Sequence, residues 1–157
     1  MRFMIRGIDT VQVDAFRRGA GDANGQVALR EVAMGGANPC RHCLRLIAEG
    51  EGKLVLAYRP FGRLQPYAEV GPIFLHEKAC ERYEGDQLPA WFAHLQPAII
   101  RGYGHDDRIR YETGQVVPGS ALAAACEEIL RRTEVAYVHI RSKFNCFLCR
   151  VDSIKEG

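Results

Sequence analysis

The sequence predicts a single α+β domain over residues 1–157, built on a mostly antiparallel sheet of six or seven short strands with two or three helices. Three observations predict this class. The strand-like segments are short, turn-length stretches rich in glycine and proline separate most of them, and helical periodicity is confined to a few segments. A chain of 157 residues can bury one hydrophobic core, and no internal repeat or interdomain linker divides it.

Strands are predicted where apolar and β-branched residues form short runs bounded by turn residues. The segment VALREVAM fits a strand or a short helix equally well. The GHDD turn predicts a hairpin between the two runs that flank it. The predicted strands, in chain order, are RFMIRGI, KLVLAYRPF, IFLHE, the two arms of AIIRGYGHDDRIRYETGQVV, VAYVHIR and FLCRVDSI.

Helices are predicted from residues that favour a helix N-terminus. Asn38 as a cap and Pro39 at the first helical position predict a short helix through RHCLRLIAEG. Pro89 would open a second helix, LPAWFAHL, and Ser120 would cap the clearest one, SALAAACEEILRRT. The segment VDAFRRG is a further short candidate. In the helix after Ser120, Cys126 falls on the apolar stripe, and we expect it in the core.

Composition excludes several function classes. Apolar residues make up 47% of the chain and charged residues 25%, as in ordinary soluble globular proteins. No apolar run is long enough to cross a membrane, and the first residues do not form a secretory segment, so we expect a cytoplasmic protein. The formal charge is only +2 and the arginines are spread along the chain, which argues against nucleic-acid binding.

The cysteines carry the strongest chemical signal. Cys40 and Cys43 form one CxxC pair, and Cys146 and Cys149 form a second near the other end of the chain. Since Zn²⁺ takes four soft ligands and a two-residue gap lets one turn present two thiolates, the two pairs together predict one structural zinc site. Neither pair is followed by the glycine that often relaxes a metal-binding turn. Cys80, four residues after a histidine in HEKAC, is a reserve ligand if that segment is helical.

Two other interpretations of the cysteines stay open. At a helix N-terminus, Cys40 would be a nucleophilic thiolate and Cys43 its resolving partner, as in a thiol oxidoreductase. The cysteines are also compatible with buried thiols of no chemical role, because cysteine is among the most buried residue types.

A polar face on the predicted sheet is the second candidate site. In VAYVHIR, alternation puts Tyr137, His139 and Arg141 on one face, and His76 and Arg110 lie on similar faces of their own strands. Guanidinium and imidazole groups suit a small anionic ligand, which arginine binds through paired hydrogen bonds. The alternative is a sheet face that simply meets water.

Several motifs, taken in order, resemble a bacterial family catalogued as a domain of unknown function, of the DUF1203 type. The resemblance runs from about Pro39 to Asp152 and implies a small single-domain bacterial protein without an established activity, cofactor or catalytic residue. The motifs are PCRHCL, LAYRPF, PYAEVGPIFLH, RGYGHDDRIRYETG and AYVHIRSKFNCFLCR.

We therefore expect a small binding or accessory domain whose polar sheet face takes an anionic small molecule and whose CxxC pairs hold a structural zinc. The competing hypothesis is a thiol oxidoreductase that uses Cys40 and Cys43. A third hypothesis is an interaction module without a small-molecule site. The sequence names no substrate and predicts no oligomeric state.

Overall fold

The computed structural model of the chain describes residues 2–154 and confirms the α+β class. Two 3₁₀ helices accompany its strands and α-helices, at Ala90–His94 and Gly119–Ala121. The other elements are β1 (Arg2–Arg6), α1 (Thr10–Arg17), β2 (Leu29–Val32), β3 (Gly52–Tyr58), β4 (Gly71–His76), β5 (Glu84–Gly85), β6 (Ala98–Tyr103), β7 (Ile109–Val117), α2 (Leu122–Leu130), β8 (Tyr137–Arg141) and β9 (Phe147–Ile154).

The strands form two antiparallel sheets rather than the one that was predicted. The larger sheet has six strands in the order β5-β1-β9-β8-β6-β7, and the smaller has three in the order β2-β3-β4. Within the described residues, two compact units contain these sheets: residues 2–6, 65–67 and 84–154, and residues 7–64 and 68–83. That residues 1–157 behave as a single domain stays a prediction.

The larger sheet buries one face against helix α2. Gly102 in β6 shows how close the helix lies, because a Cβ atom there would sit 2.9 Å from Cγ2 of Ile129. Cys126 of the same helix is fully buried, as its position on the apolar stripe predicts. The predicted hairpin between β6 and β7 and the pairing of the last two strands are both confirmed.

The smaller sheet forms a second core with helix α1. Leu54 and Leu75 face each other across β3 and β4 and are fully buried, and Val13 and Phe16 of α1 belong to the same cluster. Asp9 caps α1 by accepting a hydrogen bond from the Val11 backbone N–H at 2.8 Å. Helix α1 therefore has one buried stripe and a defined start, which holds its ends in fixed positions beside the sheet.

Two predicted helix starts are wrong in detail. No helix follows Pro39; the chain doubles back, so that Pro39 pairs with Leu46 in an antiparallel bridge. Helix α2 begins only after a 3₁₀ turn, with Ala121 at its N-cap, so Ser120 does not cap it. In both places local sequence preference for a helix yields to the tertiary structure. Among the described residues, no helix is both long and apolar enough to cross a membrane.

Candidate metal centre

One group of thiols and an imidazole stands out among the described residues. Cys40, Cys43, His76 and Cys80 each offer one ligand atom, and these atoms all lie within 4.8 Å of one another. Cys40 and Cys43 are buried, whereas His76 and Cys80 are partly exposed. All four belong to the unit built on the smaller sheet. A cluster of three sulfurs and one ring nitrogen can bind a metal ion.

A tight turn presents the first two ligands. The N–H of Leu44 donates to the carbonyl of Cys40 at 2.9 Å, and the N–H of Cys40 donates to the carbonyl of Arg45 at 2.9 Å. Leu44 adopts a left-handed backbone conformation with φ of 58°, which a glycine would adopt without steric cost. The residue after the second cysteine thus takes the left-handed conformation although it is not glycine. Burial of the Leu44 side chain is favourable and offsets the cost of this backbone conformation.

Strand β4 positions the turn and supplies the third ligand. Cys40 lies opposite Phe74 in a parallel bridge, and the N–H of Arg41 donates to the carbonyl of Phe74 at 3.0 Å. Two residues further along, His76 ends the strand, and its backbone N–H points at Sγ of Cys40 at 3.3 Å. The chain then bends without forming a helix and brings Cys80 to the group.

Two distances within the group match those between neighbouring ligands of a tetrahedral zinc ion. Zinc–sulfur bonds of about 2.3 Å at tetrahedral angles place two sulfur ligands about 3.8 Å apart. Sγ of Cys40 and Sγ of Cys80 are 3.9 Å apart. Sγ of Cys43 lies 3.4 Å from Nδ1 of His76, close to the edge expected between a sulfur and a nitrogen ligand. The Nδ1 atom of His76 is therefore the nitrogen that faces the sulfurs.

Two basic side chains orient Cys80. Nη2 of Arg17 donates to Sγ of Cys80 at 3.2 Å, and Nε of the same guanidinium donates to the carbonyl of His76 at 3.2 Å. Nδ1 of the fully buried His42 lies 3.1 Å from Sγ of Cys80, while its Nε2 lies 2.9 Å from the hydroxyl of Thr10. Both ends of α1, at Thr10 and Arg17, thus contact the site. Such outer contacts fix ligand orientation in metal centres.

The pKa shifts of the four residues indicate which sulfur carries the negative charge. Hydrogen bonds from Cys43 and Cys80, together with one from His76, hold the pKa of the Cys40 thiol far below its ordinary value. The same bonds raise the pKa of Cys43 and of Cys80, because their protons are shared with the Cys40 sulfur, and they raise the pKa of His76. The cluster therefore holds a thiolate at Cys40, a ready first ligand for a cation.

The second CxxC pair does not join this group. Cys146 and Cys149 belong to the unit of the larger sheet, where Cys149 is buried in β9 opposite Ile140 of β8. The chain does turn before β9, with Asn145 at a φ of 66°. Cys40 and Cys43 lie in one group with His76 and Cys80. The reason is local, because the end of β4 adjoins the Cys40 turn.

The five residues predicted to form one polar face lie in two different sheets and on different faces. Tyr137, His139 and Arg141 alternate along β8 as expected, but all three are buried, and His139 is fully so. Arg110 in β7 neighbours Gly102, which pairs with Val138 and so belongs to the other face of β8. His76 lies in the smaller sheet and joins the metal group.

The face of β8 that contains His139 is rich in guanidinium groups. His139 lies opposite Arg101 of β6 on one side and Arg150 of β9 on the other. Burial lowers the pKa of His139 well below its ordinary value, and the positive charges of Arg141, Arg150 and Arg101 lower it further. The ring of Tyr103 lies 4.6 Å from that of His139, centroid to centroid. His139 is accordingly a neutral, ring-packed histidine at neutral pH.

Fold and site together define the class of the protein: an α+β chain with two antiparallel sheets and a group of three cysteines and one histidine beside the smaller sheet. The chain belongs to the family described as "Protein of unknown function (DUF1203)", whose model matches residues 37–153. The match confirms the family resemblance and covers all four residues of the group. No curated protein and no solved structure matches the chain.

The sequence predicts Cys40 and Cys43 as ligands but does not place His76 and Cys80 together beside them. The usable signal was HEKAC, which places a histidine and a cysteine four residues apart. The sequence predicts such a pair at one site only if the segment is helical, whereas in the structure the end of a strand followed by a bend brings the two residues together. The contribution of Arg17 and Thr10, from a helix far away in sequence, has no sequence signal.

Proposed function

We propose that this protein is a zinc-binding domain in which Cys40, Cys43, His76 and Cys80 hold one structural Zn²⁺ ion. The observation that carries the proposal is the convergence of three sulfur atoms and one imidazole nitrogen within 4.8 Å. Three thiolates and one imidazole are a ligand set of structural zinc sites, and soft sulfur donors disfavour magnesium and calcium. All six cysteines of the chain are free thiols, which supports a reducing, cytoplasmic location.

A structural role is favoured because the four protein ligands would complete the coordination of zinc. Catalytic zinc sites keep one position open for water or substrate. Here the ion would join the turn at Cys40, the end of strand β4 and the irregular segment at Cys80. The turn at Cys40 meets β4 through one isolated bridge, and the segment at Cys80 has no regular secondary structure, so the free energy of metal binding would become free energy of folding.

The thiol oxidoreductase hypothesis has less support. A nucleophilic cysteine has to reach its substrate, and the Cys40 side chain is 0% exposed. It also does not start a helix, so the helix dipole invoked for its activation is missing. The low pKa of Cys40 arises from neighbouring thiols and a histidine, as in an empty cluster of metal ligands.

Metal analysis tests the zinc proposal. Protein purified without added zinc should contain about one equivalent of zinc, and a chelator should lower its melting temperature. Cys43→Ser should lose the metal, since a hydroxyl is a poor replacement for thiolate. Cys146→Ser is the matched control and should keep it, because Cys146 lies outside the group. Stably folded protein without metal, or zinc that is lost from Cys146→Ser and kept by Cys43→Ser, would contradict the proposal.

The arginine-rich face of β8 supports a second, separate proposal, the binding of a small anionic ligand. Arg101, His139 and Arg150 are neighbours across three strands, and Arg141 follows on β8. Guanidinium groups bind carboxylate and phosphate oxygens through paired hydrogen bonds. Phosphate and citrate should then raise the melting temperature of the wild-type protein more than that of Arg141→Ala. Equal shifts in the two proteins, or no shift in either, would refute anion binding at this face.

A further inference from the structure

Cys80 differs from the other two thiols of the group. Cys40 and Cys43 are buried, whereas Cys80 is partly exposed. It also lies on an irregular stretch between β4 and β5, where residues 79–83 have no regular secondary structure. The thiol that solvent can approach is therefore also the one on a segment without strand or helix.

Two side chains contact the sulfur of Cys80. Arg17 donates to its sulfur at 3.2 Å, and Nδ1 of His42 lies 3.1 Å from the same atom. The Arg17 side chain is only 11% exposed and also contacts the carbonyl of His76, so its position is fixed. A fixed guanidinium beside a partly exposed sulfur is the environment in which cysteines react with oxidants.

A second thiol lies close enough to complete a disulfide. Sγ of Cys40 is 3.9 Å from Sγ of Cys80, so closure to a bond of about 2 Å requires a movement of about 2 Å. The backbone at Cys40 is held by hydrogen bonds to Arg45 and Leu44, whereas the backbone at Cys80 has no strand or helix to hold it. The movement would come from Cys80.

We propose that Cys80 is an oxidation site of the metal centre: a hydroperoxide converts Cys80 and Cys40 into a disulfide and thereby releases the zinc ion. This inference rests on the proposed zinc binding and adds its regulation. The group would be a structural site that is stable in reducing conditions and opens under peroxide.

The oxidation has two steps and consumes one molecule of hydrogen peroxide. The Cys80 thiolate attacks one oxygen of hydrogen peroxide, the O–O bond breaks, and hydroxide leaves and takes up a proton to form water. The resulting sulfenic acid is attacked by the Cys40 thiolate; the S–O bond breaks, the S–S bond forms, and a second hydroxide is protonated to water. Two electrons pass from the two sulfurs to the peroxide. Zinc is left with Cys43 and His76 and dissociates.

Zinc release under peroxide tests the inference. Zinc-loaded wild-type protein is treated with hydrogen peroxide while a chromophoric chelator reports free zinc and peptide mass spectrometry maps the disulfide. We expect release of about one equivalent of zinc together with a Cys40–Cys80 disulfide, both reversed by a dithiol reductant and added zinc. The zinc content before treatment tests the zinc proposal alone. Protein that holds zinc and keeps it under peroxide would overturn only the oxidation proposal.

Two variants and one trapping experiment make the assignment specific. Cys80→Asp keeps a ligand oxygen but removes the sulfur, so peroxide-driven zinc release should be lost. Cys146→Ser changes a thiol of similar exposure in the other unit and should release zinc like the wild type. If Cys80→Asp does not retain zinc, dimedone trapping in the wild type decides: a sulfenic acid adduct on Cys80 supports the inference. A first adduct on another cysteine, or a Cys40–Cys43 disulfide alone, refutes it.

Discussion

The contact between Gly7 and the cysteine turn gives the sharpest test of how the site is built. A Cβ atom at Gly7 would overlap the carbonyl oxygen of His42 and lie 2.7 Å from its carbonyl carbon. Both atoms are backbone, so no side chain can rotate away. Gly7 does not have a positive φ, and alanine is therefore compatible with its backbone conformation. Gly7→Ala should separate the backbone at Gly7 from the turn between Cys40 and Cys43.

The expected loss in the free energy of unfolding follows from the hydrogen bonds and the packing that this separation disturbs. The carbonyl of His42 accepts from the N–H of Tyr83 at 2.9 Å, and Gly7 donates to the carbonyl of Tyr83 at 2.9 Å. Overpacking of a core costs about 1–3 kcal/mol, and each weakened hydrogen bond adds about 1 kcal/mol. The reduced freedom of the unfolded chain returns about 0.5 kcal/mol. We expect a net loss of about 3 kcal/mol in the free energy of unfolding, a large share of a typical total of about 5–15 kcal/mol.

Urea denaturation of the zinc-loaded protein measures this loss. Gly36→Ala is the matched control: Gly36 has open space around it and no positive φ, so the substitution should be neutral or slightly stabilising. The zinc affinity of Gly7→Ala should fall as well, because His42 lies between two ligands and contacts a third. If Gly7→Ala unfolds at the same urea concentration as Gly36→Ala, the packing of Gly7 against the turn does not contribute to stability as expected.

Three further predictions concern side chains around and away from the site. Arg17→Met should lower zinc affinity about tenfold to a hundredfold, as loss of an outer contact does, whereas Arg18→Met, an exposed neighbour on α1, should not. Burial holds the pKa of His139 below that of the unfolded chain, so only the unfolded state takes up a proton at this residue near pH 6.5. The free energy of unfolding should therefore fall by up to about 1.4 kcal/mol per pH unit below that pH. Urea titrations should show that His139→Phe removes this dependence. Burial raises the pKa of Cys126 to about 12, so iodoacetamide should label it in native protein far more slowly than Cys146, and equal rates would contradict its place in the core.

The fold was predictable where a local pattern and the tertiary structure agree. The alternation in VAYVHIR and the GHDD turn placed β8 and the hairpin of β6 and β7 correctly, because period-two patterns and tight turns are local properties. The helix after Pro39 was wrong because a good N-terminal sequence competes there with pairing to Leu46 and to β4. The division into two sheets could not be predicted, since sequence patterns do not specify which strands pair.

The site was predictable as chemistry and only partly as geometry. A CxxC pair predicts two thiolates on one turn, and Cys40 and Cys43 do lie together. Spacing describes each pair alone and says nothing of the separation of two pairs in space, so the joint site of all four cysteines stays a prediction, while Cys40 and Cys43 lie with His76 and Cys80. The residue after Cys43 is leucine and not the glycine that often relaxes a metal-binding turn. Leu44 adopts the left-handed conformation at a cost of order 1 kcal/mol, which burial of its side chain outweighs.

Removal of the proposed zinc ion should destabilise the unit of the smaller sheet more than the unit of the larger sheet. The unit of the smaller sheet has three strands, and its cysteine turn is held by single backbone contacts, such as the bond from the Ile47 N–H to the Asn38 carbonyl. Small sheets with few strands need an additional staple, which zinc would supply. In hydrogen exchange after chelation, the amides of Leu44 and Ile47 should lose protection, while those of Ile100 and Ile140 in the larger sheet keep theirs. Uniform loss across both sheets would instead indicate one cooperative domain that depends on the metal as a whole.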